Sequence, residues 1–292
     1  MNNLYLDDFY NYISTQKRYS NNTLLAYKKD LTLFFTFIKK ENINTIDHVI
    51  IQSYLSSLYR KNLSTTTISR KLSSIKSYGK YHSKFKEINC DFLTKISVPK
   101  KQKKLPEYLH KEELEKLFNM PLNTFLDIRN SLIINLLYST GMRLSELTNL
   151  KINDYNQNEN VFRIIGKGNK ERIVIFSNNT KKLLDLYLKE RKDTSSPYLL
   201  INKNNTKLSN RGVELILTSI SKKYLGHDKL HPHMLRHTYA TKLLNNGIDL
   251  RTLQELLGHE NLNATQVYTH IAKNELSELY SNFHPLGDNL DQ

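Results

Sequence analysis

Apolar side chains in the first hundred residues recur at three- and four-residue intervals, and that period confines this part of the chain to helices. Leu24, Tyr27, Leu31, Phe34, Phe35 and Ile38 mark one such stripe, which an α-helix gathers onto a single buried face. Ser20, Asn21 or Asn22 stands where that helix needs an N-cap. Ile51, Leu55 and Leu58 predict a second helix, Ile68, Leu72, Ile75 and Tyr78 a third, and Leu6, Phe9 and Ile13 an earlier one. The third opens on Ser64-Thr-Thr-Thr67, side chains suited to the unpaired amides of a helix start. A small helical bundle follows from these stripes.

The bundle ends at Val98-Pro-Lys-Lys-Gln-Lys-Lys-Leu-Pro106, a charged stretch with a proline near each end and little to bury. It reads as an interdomain linker. Beyond it, helical patterns occupy Glu112–Phe118, Leu126–Tyr138, Lys181–Glu190 and Gly212–Tyr224. One interruption differs. Val161–Ile165 and Arg172–Phe176 are β-branched runs flanking Gly166-Lys-Gly-Asn-Lys170, a β-hairpin signal with a basic tip. The expected fold is mainly α, with one small antiparallel sheet in the second domain.

Charge is distributed unevenly. Residues 1–105 carry 19 Lys and Arg against 7 Asp and Glu, so +12 of the net +15 sits in about a third of the chain. Between Arg60 and Lys104, 13 basic residues face only Glu87 and Asp91. A block of that kind points to a polyanion, above all nucleic acid. The helix from Ser64 combines its apolar stripe with Arg70, Lys71, Lys76 and Lys80, so one face can pack inward while another meets phosphates. Lys100, Lys101, Lys103 and Lys104 put the linker along the same backbone. Residues 251–292 reverse the sign, with Arg251 and Lys273 against six carboxylates, which suits contact with protein rather than DNA.

Cys90, the single cysteine, excludes an internal disulfide and a Cys-based zinc site. No run of about 18 uncharged apolar residues spans a bilayer, and the opening residues lack a signal-peptide pattern. A cytoplasmic protein without membrane insertion is expected.

The chemistry concentrates in His231-Pro-His-Met-Leu-Arg-His237, Leu256-Leu-Gly-His259, Val267-Tyr-Thr-His270 and the distant Thr140-Gly-Met-Arg143. Arginine presents a planar fork of donors to phosphate oxygens, histidine titrates near neutral pH, and a deprotonated tyrosine can carry a phosphoryl group. Pro232 suits the first turn of a helix, which places His233 and Arg236 on one face near its N-terminus. Asp249 can cap a further helix that ends at Gly258 and holds His259 just beyond it. Taken singly, a His-x-x-Arg pair is more often structural, and with 18 tyrosines present composition does not choose a nucleophile.

The motifs together resemble the tyrosine recombinases, the integrase family of site-specific DNA recombinases, and are most similar to its Xer branch. They run in order as Ser139-Thr-Gly-Met-Arg143, Gly166-Lys-Gly168, His233-Met-Leu-Arg-His-Thr-Tyr-Ala-Thr241, Leu256-Leu-Gly-His259 and Tyr268-Thr-His270. Met234 departs from the Lys or Thr common in relatives, at a position with no assigned chemistry.

The resemblance implies a SAM-like helical core-binding domain over residues 1–95, a basic linker over 96–106 and a catalytic domain over 107–292. It implies Tyr268 as nucleophile of a 3′-phosphotyrosyl link, with Arg143 and Arg236 clamping the phosphate. His233 would assist proton transfer, His259 would bond a nonbridging oxygen, and Lys167 would protonate the leaving 5′-oxygen. Glu146 would buttress the site or cap a helix, and His237 would have a supporting role. No metal or other cofactor is implied, since the phosphotyrosyl bond conserves the energy of the broken diester.

The implied partner is double-stranded DNA carrying a short inverted-repeat site, acted on through a Holliday junction in a tetramer, with or without a second related recombinase and a divisome DNA translocase. A helix at about 274–282 would dock into a neighbouring subunit through Leu276, Leu279 and Tyr280. Resolution of chromosome or plasmid dimers is the leading expectation. The second is an integrase or transposase of a mobile element with the same chemistry, and a type IB topoisomerase or a silent DNA-binding regulator ranks below both.

Overall fold

The computed structural model describes residues 5–257 except Arg18, 42–45, Glu87, 99–106, 166–170 and 192–194. The chain divides into two compact units, Met1–Lys104 and Leu105–Gln292. Their division falls inside the lysine- and proline-bearing segment.

The first unit contains α1 (Leu6–Thr15), α2 (Asn21–Lys40), α3 (His48–Arg60) and α4 (Thr65–Phe85), followed by a 3-10 turn at Asp91–Lys95. Ser20, Asp47 and Ser64 cap α2, α3 and α4 by accepting from the backbone amides of Thr23, Ile50 and Thr67. The stripes read from the sequence form its core: Phe9, Ile13, Leu31, Phe34, Ile51, Leu55, Leu58, Ile68, Leu72, Ile75 and Tyr78 are all buried. Cys90 is buried with them.

One expectation is overturned here. Lys71, read as a phosphate contact, is only 5% exposed, and its Nζ donates to the buried Asp30 carboxylate at 3.0 Å. Arg70 donates to the same carboxylate, as does the Ser74 hydroxyl at 3.0 Å. A carboxylate with no solvent access needs cationic and hydroxyl donors to offset its desolvation, so Asp30 on α2 draws Lys71 inward and locks α2 to α4. Arg70 remains half-exposed. Lys76 and Lys80, by contrast, line an open groove of about 500 Å³ with Lys17, Lys84 and the rings of Tyr12 and Tyr27.

The second unit is built round α6 (Phe125–Thr140). Leu132, Ile133, Ile134, Leu136 and Leu137 are each wholly inaccessible, as expected of a helix apolar on every side. Around it lie α5 (Lys111–Phe118), α7 (Leu144–Asn149), α8 (Asn178–Glu190), α9 (Asn210–Ile220), α10 (Pro232–Asn245) and α11 (Leu250–Leu257). The sheet is antiparallel in the order β1 (Tyr155–Asn156), β2 (Val161–Ile165), β3 (Glu171–Ile175), with Val161 opposite Ile175 and Ile165 opposite Glu171.

The helix expected over Gly212–Tyr224 is interrupted. α9 passes at Ser221 into a single π turn that ends at Gly226, φ +75°. The widened turn buries the Ser221 hydroxyl, which meets His227 Nδ1 at 3.0 Å and accepts from the Leu230 amide at 3.3 Å. Among the described residues, no helix is long and apolar enough to cross a membrane.

Candidate active site

The end of α6 sets the site. Gly141 takes a left-handed conformation, φ +58°, and turns the chain so that Arg143 becomes the N-cap of α7. A Cβ at Gly141 would stand 2.5 Å from Cδ1 of Tyr239 and 3.0 Å from Cδ2 of Leu257. The turn therefore requires glycine twice over, for its dihedral and for the close approach of α10 and α11. The Thr140 hydroxyl accepts from the Met142 amide at 3.2 Å, which holds the reversal.

Glu146, in the first turn of α7, closes back on Arg143. Its Oε2 accepts from the Arg143 amide at 2.7 Å and its Oε1 from the Arg143 guanidinium at 3.0 Å. Buttress and cap are thus one side chain. From β3, Arg172 lays its fork across both carboxylate oxygens, each at 2.9 Å. Arg172 and Glu146 are both buried. Burial by itself would raise the Glu146 carboxyl, but the Arg172 fork and charge, with the Arg143 donors, outweigh it and hold the group below the usual carboxylate range.

Arg236 projects from the second turn of α10 and donates to the main-chain carbonyls of Gly141 and, at 2.7 Å, Leu257. Those carbonyls fix the guanidinium without neutralising it. Burial, then the charges of Arg143 and Arg172, pull its pKa down to about 10. Leu257 reaches it because Tyr239, Leu243, Ile248, Leu253 and Leu257 form a separate apolar cluster joining α10 to α11. Asp249 opens α11 by accepting from the amides of Arg251 and Thr252.

His233 lies exposed in the first turn of α10, beside an open cleft of about 620 Å³ that Leu144 and His231 also line. His231 is the helix cap: its Nδ1 accepts from the Met234 amide at 3.1 Å. Burial, and then the charge of His233, lower the His231 pKa, favouring the neutral ring that this acceptor role requires. His237 is half-buried, and the structure gives it no chemical role. Among the described residues, no group of three or more His, Cys, Asp or Glu is arranged to hold a metal ion.

Arg143, His233 and Arg236 are thus gathered where α6, α7 and α10 meet. Lys167, His259 and Tyr268 lie outside the described residues, as do Gly258, Lys100, Lys101, Lys103, Lys104, Leu276, Leu279 and Tyr280. Sequence reasoning missed Arg172. In Arg172-Ile-Val-Ile-Phe176 both alternating faces are mostly apolar, so nothing marks which face turns inward, and a positive charge on the buried face is the less expected choice. Only the placement of Glu146 reveals it.

Comparison with known proteins agrees with this geometry. The model of the phage integrase family matches residues 107–275, and that of the phage integrase N-terminal SAM-like domain matches residues 6–84. The chain is 38% identical to tyrosine recombinase XerC of Staphylococcus haemolyticus over 283 residues, and 39% identical to tyrosine recombinase XerC of Bacillus pumilus over 289, with 95% of each chain covered in both cases. In structure it is similar to XerH site-specific recombinase bound to palindromic difH substrate in a post-cleavage complex, with a TM-score of 0.69, 29% identity and coverage of 88% of this chain and 79% of that one. The arginine-rich site, the helical first unit and these likenesses over nearly the whole length place the chain in the phage integrase family, the tyrosine recombinases.

Proposed function

We propose that this chain is a Xer-like site-specific recombinase that cleaves and rejoins double-stranded DNA through a 3′-phosphotyrosyl intermediate. One observation carries the reading: the guanidiniums of Arg143 and Arg172 share the single carboxylate of Glu146, Arg236 lies near enough to feel all three charges, and His233 stands three residues before Arg236 on α10. Such a site has surplus positive charge fixed by main-chain and carboxylate bonds before any anion enters. A phosphodiester supplies the missing negative charge, and the preorganised donors stabilise the additional charge on its nonbridging oxygens in the transition state.

Tyr268 attacks the phosphorus as its phenolic proton leaves, and the bond to the 5′-oxygen breaks. His233 assists the first proton transfer and Lys167 protonates the departing 5′-oxygen, while His259 bonds a nonbridging oxygen. Attack of a partner strand's 5′-hydroxyl reverses the sequence and passes through a Holliday junction. No ATP or metal enters the balance.

In the first unit, the groove edge bearing Lys76 and Lys80 with Arg70 grips the phosphate backbone, and Lys100, Lys101, Lys103 and Lys104 extend that track. Residues 1–95 are the core-binding domain, 96–106 the linker and 107–292 the catalytic domain. The reaction runs in the cytoplasm in a tetramer, where the helix at about 274–282 docks into a neighbour through Leu276, Leu279 and Tyr280. XerC relatives matched over 95% of the chain favour dimer resolution over mobile-element integration.

The test is a supercoiled plasmid carrying two copies of an inverted-repeat site, selected from random DNA by binding to the protein. With EDTA and without ATP, resolution into two circles is expected. A ladder of relaxed topoisomers without exchange would point instead to a topoisomerase, and binding that gives no covalent adduct even on a nicked suicide substrate to a silent regulator.

A further inference from the structure

We propose that Arg172 is a positioning residue of the active site, fixing the Arg143 guanidinium for its phosphate through Glu146. The inference rests on the recombinase reading above. Each oxygen of Glu146 is shared between the two arginines: Oε1 takes an Arg172 donor at 2.9 Å and the Arg143 side chain at 3.0 Å. Oε2 takes the second Arg172 donor at 2.9 Å and the Arg143 amide at 2.7 Å.

A two-pronged fork fixes the plane of the carboxylate as well as its position. Glu146 cannot rotate without breaking a buried pair whose members have side-chain exposures of 6% and 4%. The orientation of β3 therefore dictates that of Glu146, and Glu146 dictates that of Arg143. Arg143 is 30% exposed, so part of its side chain faces solvent while Glu146 holds both its amide and its guanidinium.

Stability alone gives a weak reason for this arrangement. A buried ion pair is often no more stabilising than well-packed apolar residues of similar volume, and Arg172 shares the inward face of β3 with buried Val174. What an apolar residue could not do is aim a catalytic guanidinium. The sequence adds a second consequence: Lys167 stands five residues before Arg172, so the strand that follows Lys167 is tied to the helix that begins after Arg143. The positive charge of Arg172 also reaches Arg236, on which it acts together with that of Arg143.

The test compares Arg172→Met and Arg172→Lys with the wild type in single-turnover cleavage of a nicked suicide substrate, alongside DNA affinity and thermal unfolding. Misplacing a reacting group by about 1 Å slows catalysis about 100-fold, and a loss of that size is expected for Arg172→Met with DNA affinity nearly retained. Lysine restores charge but not the fork, so Arg172→Lys is expected to recover stability more fully than cleavage. In an Arg143→Ala background, Arg172→Met should add little further loss, because both act through one group. Independently of cleavage, NMR relaxation of the Arg143 Nε–H should show greater mobility in both Arg172 variants. Full multiplication of the two losses, or an Arg143 side chain equally ordered without Arg172, would overturn the proposal. Should Arg172→Met fail to fold, Arg172→Lys carries the same measurements. A wild type that forms no adduct would refute the recombinase reading instead, and the Arg143 relaxation would still decide the role of Arg172.

Discussion

Replacing Gly141 with alanine separates two physical terms that meet at this turn. With φ at +58°, a Cβ costs about 1–2 kcal/mol of backbone strain. The same Cβ would lie 2.5 and 2.7 Å from ring carbons of Tyr239, itself 3% exposed, and 3.0 Å from Leu257. Forced overpacking of that kind adds roughly 1–3 kcal/mol, giving an expected loss of about 2–5 kcal/mol. Gly226 is the internal control, since its φ is +75° but a Cβ there meets nothing within 4 Å. Gly226→Ala should therefore show the strain alone, about 1–2 kcal/mol. Denaturant unfolding of both variants measures the difference. Function should diverge more sharply, because the Gly141 carbonyl holds Arg236, so Gly141→Ala should slow suicide-substrate cleavage while Gly226→Ala leaves it near wild type. Equal losses of stability and equal cleavage in the two variants would refute the argument that α10 and α11 press on this turn.

Glu146→Gln removes the charge that two guanidiniums share and leaves Arg172 buried without its counter-ion, an expected loss of about 3–5 kcal/mol near neutral pH. Because the folded-state pKa of Glu146 is depressed, its contribution is present above the unfolded carboxylate value of about 4.3 and is lost as pH falls through the folded value. The gap between wild type and Glu146→Gln in urea unfolding should accordingly narrow with acidification, and a gap that widens below pH 4 would contradict the ion pairing. Changing Lys76, Lys80 and Lys84 together to Gln should weaken DNA binding and lower the slope of log K against log salt by up to about 2.7, at roughly 0.9 per phosphate contact. Lys71→Gln should instead lower the stability of the first unit with little change in that slope; a large slope change would restore Lys71 to the DNA surface.

Much of the fold was legible because its elements declare themselves locally. The stripes of α1 to α4 and the caps Ser20 and Ser64 follow from periodicity and side-chain chemistry within a few residues, and the strands flanking Gly166–Lys170 follow from β-branched composition. Motifs singled out Arg143, His233 and Arg236, and the structure sets the two arginines within reach of each other's charge, with His233 on the same helix as Arg236. What escaped depends on distant partners. Lys71 and Lys76 look alike in sequence, and only Asp30, a helix away, turns one inward. Arg172 needed Glu146 to define its face, and the left-handed turn at Gly141 needed Tyr239 and Leu257 pressed against it. His231 as a helix cap was equally hidden, since histidine is an uncommon choice there.

The central claim, that this arginine-rich site serves a tyrosine nucleophile, is tested most directly by peptide mapping of the covalent species trapped on a nicked suicide substrate. Mass spectrometry of the proteolysed adduct should locate the DNA on Tyr268 through a 3′-phosphate, with a free 5′-hydroxyl on the released strand, and Tyr268→Phe should yield no adduct. An adduct on another residue, a 5′-phosphate linkage, or trapping that persists in Tyr268→Phe would contradict it.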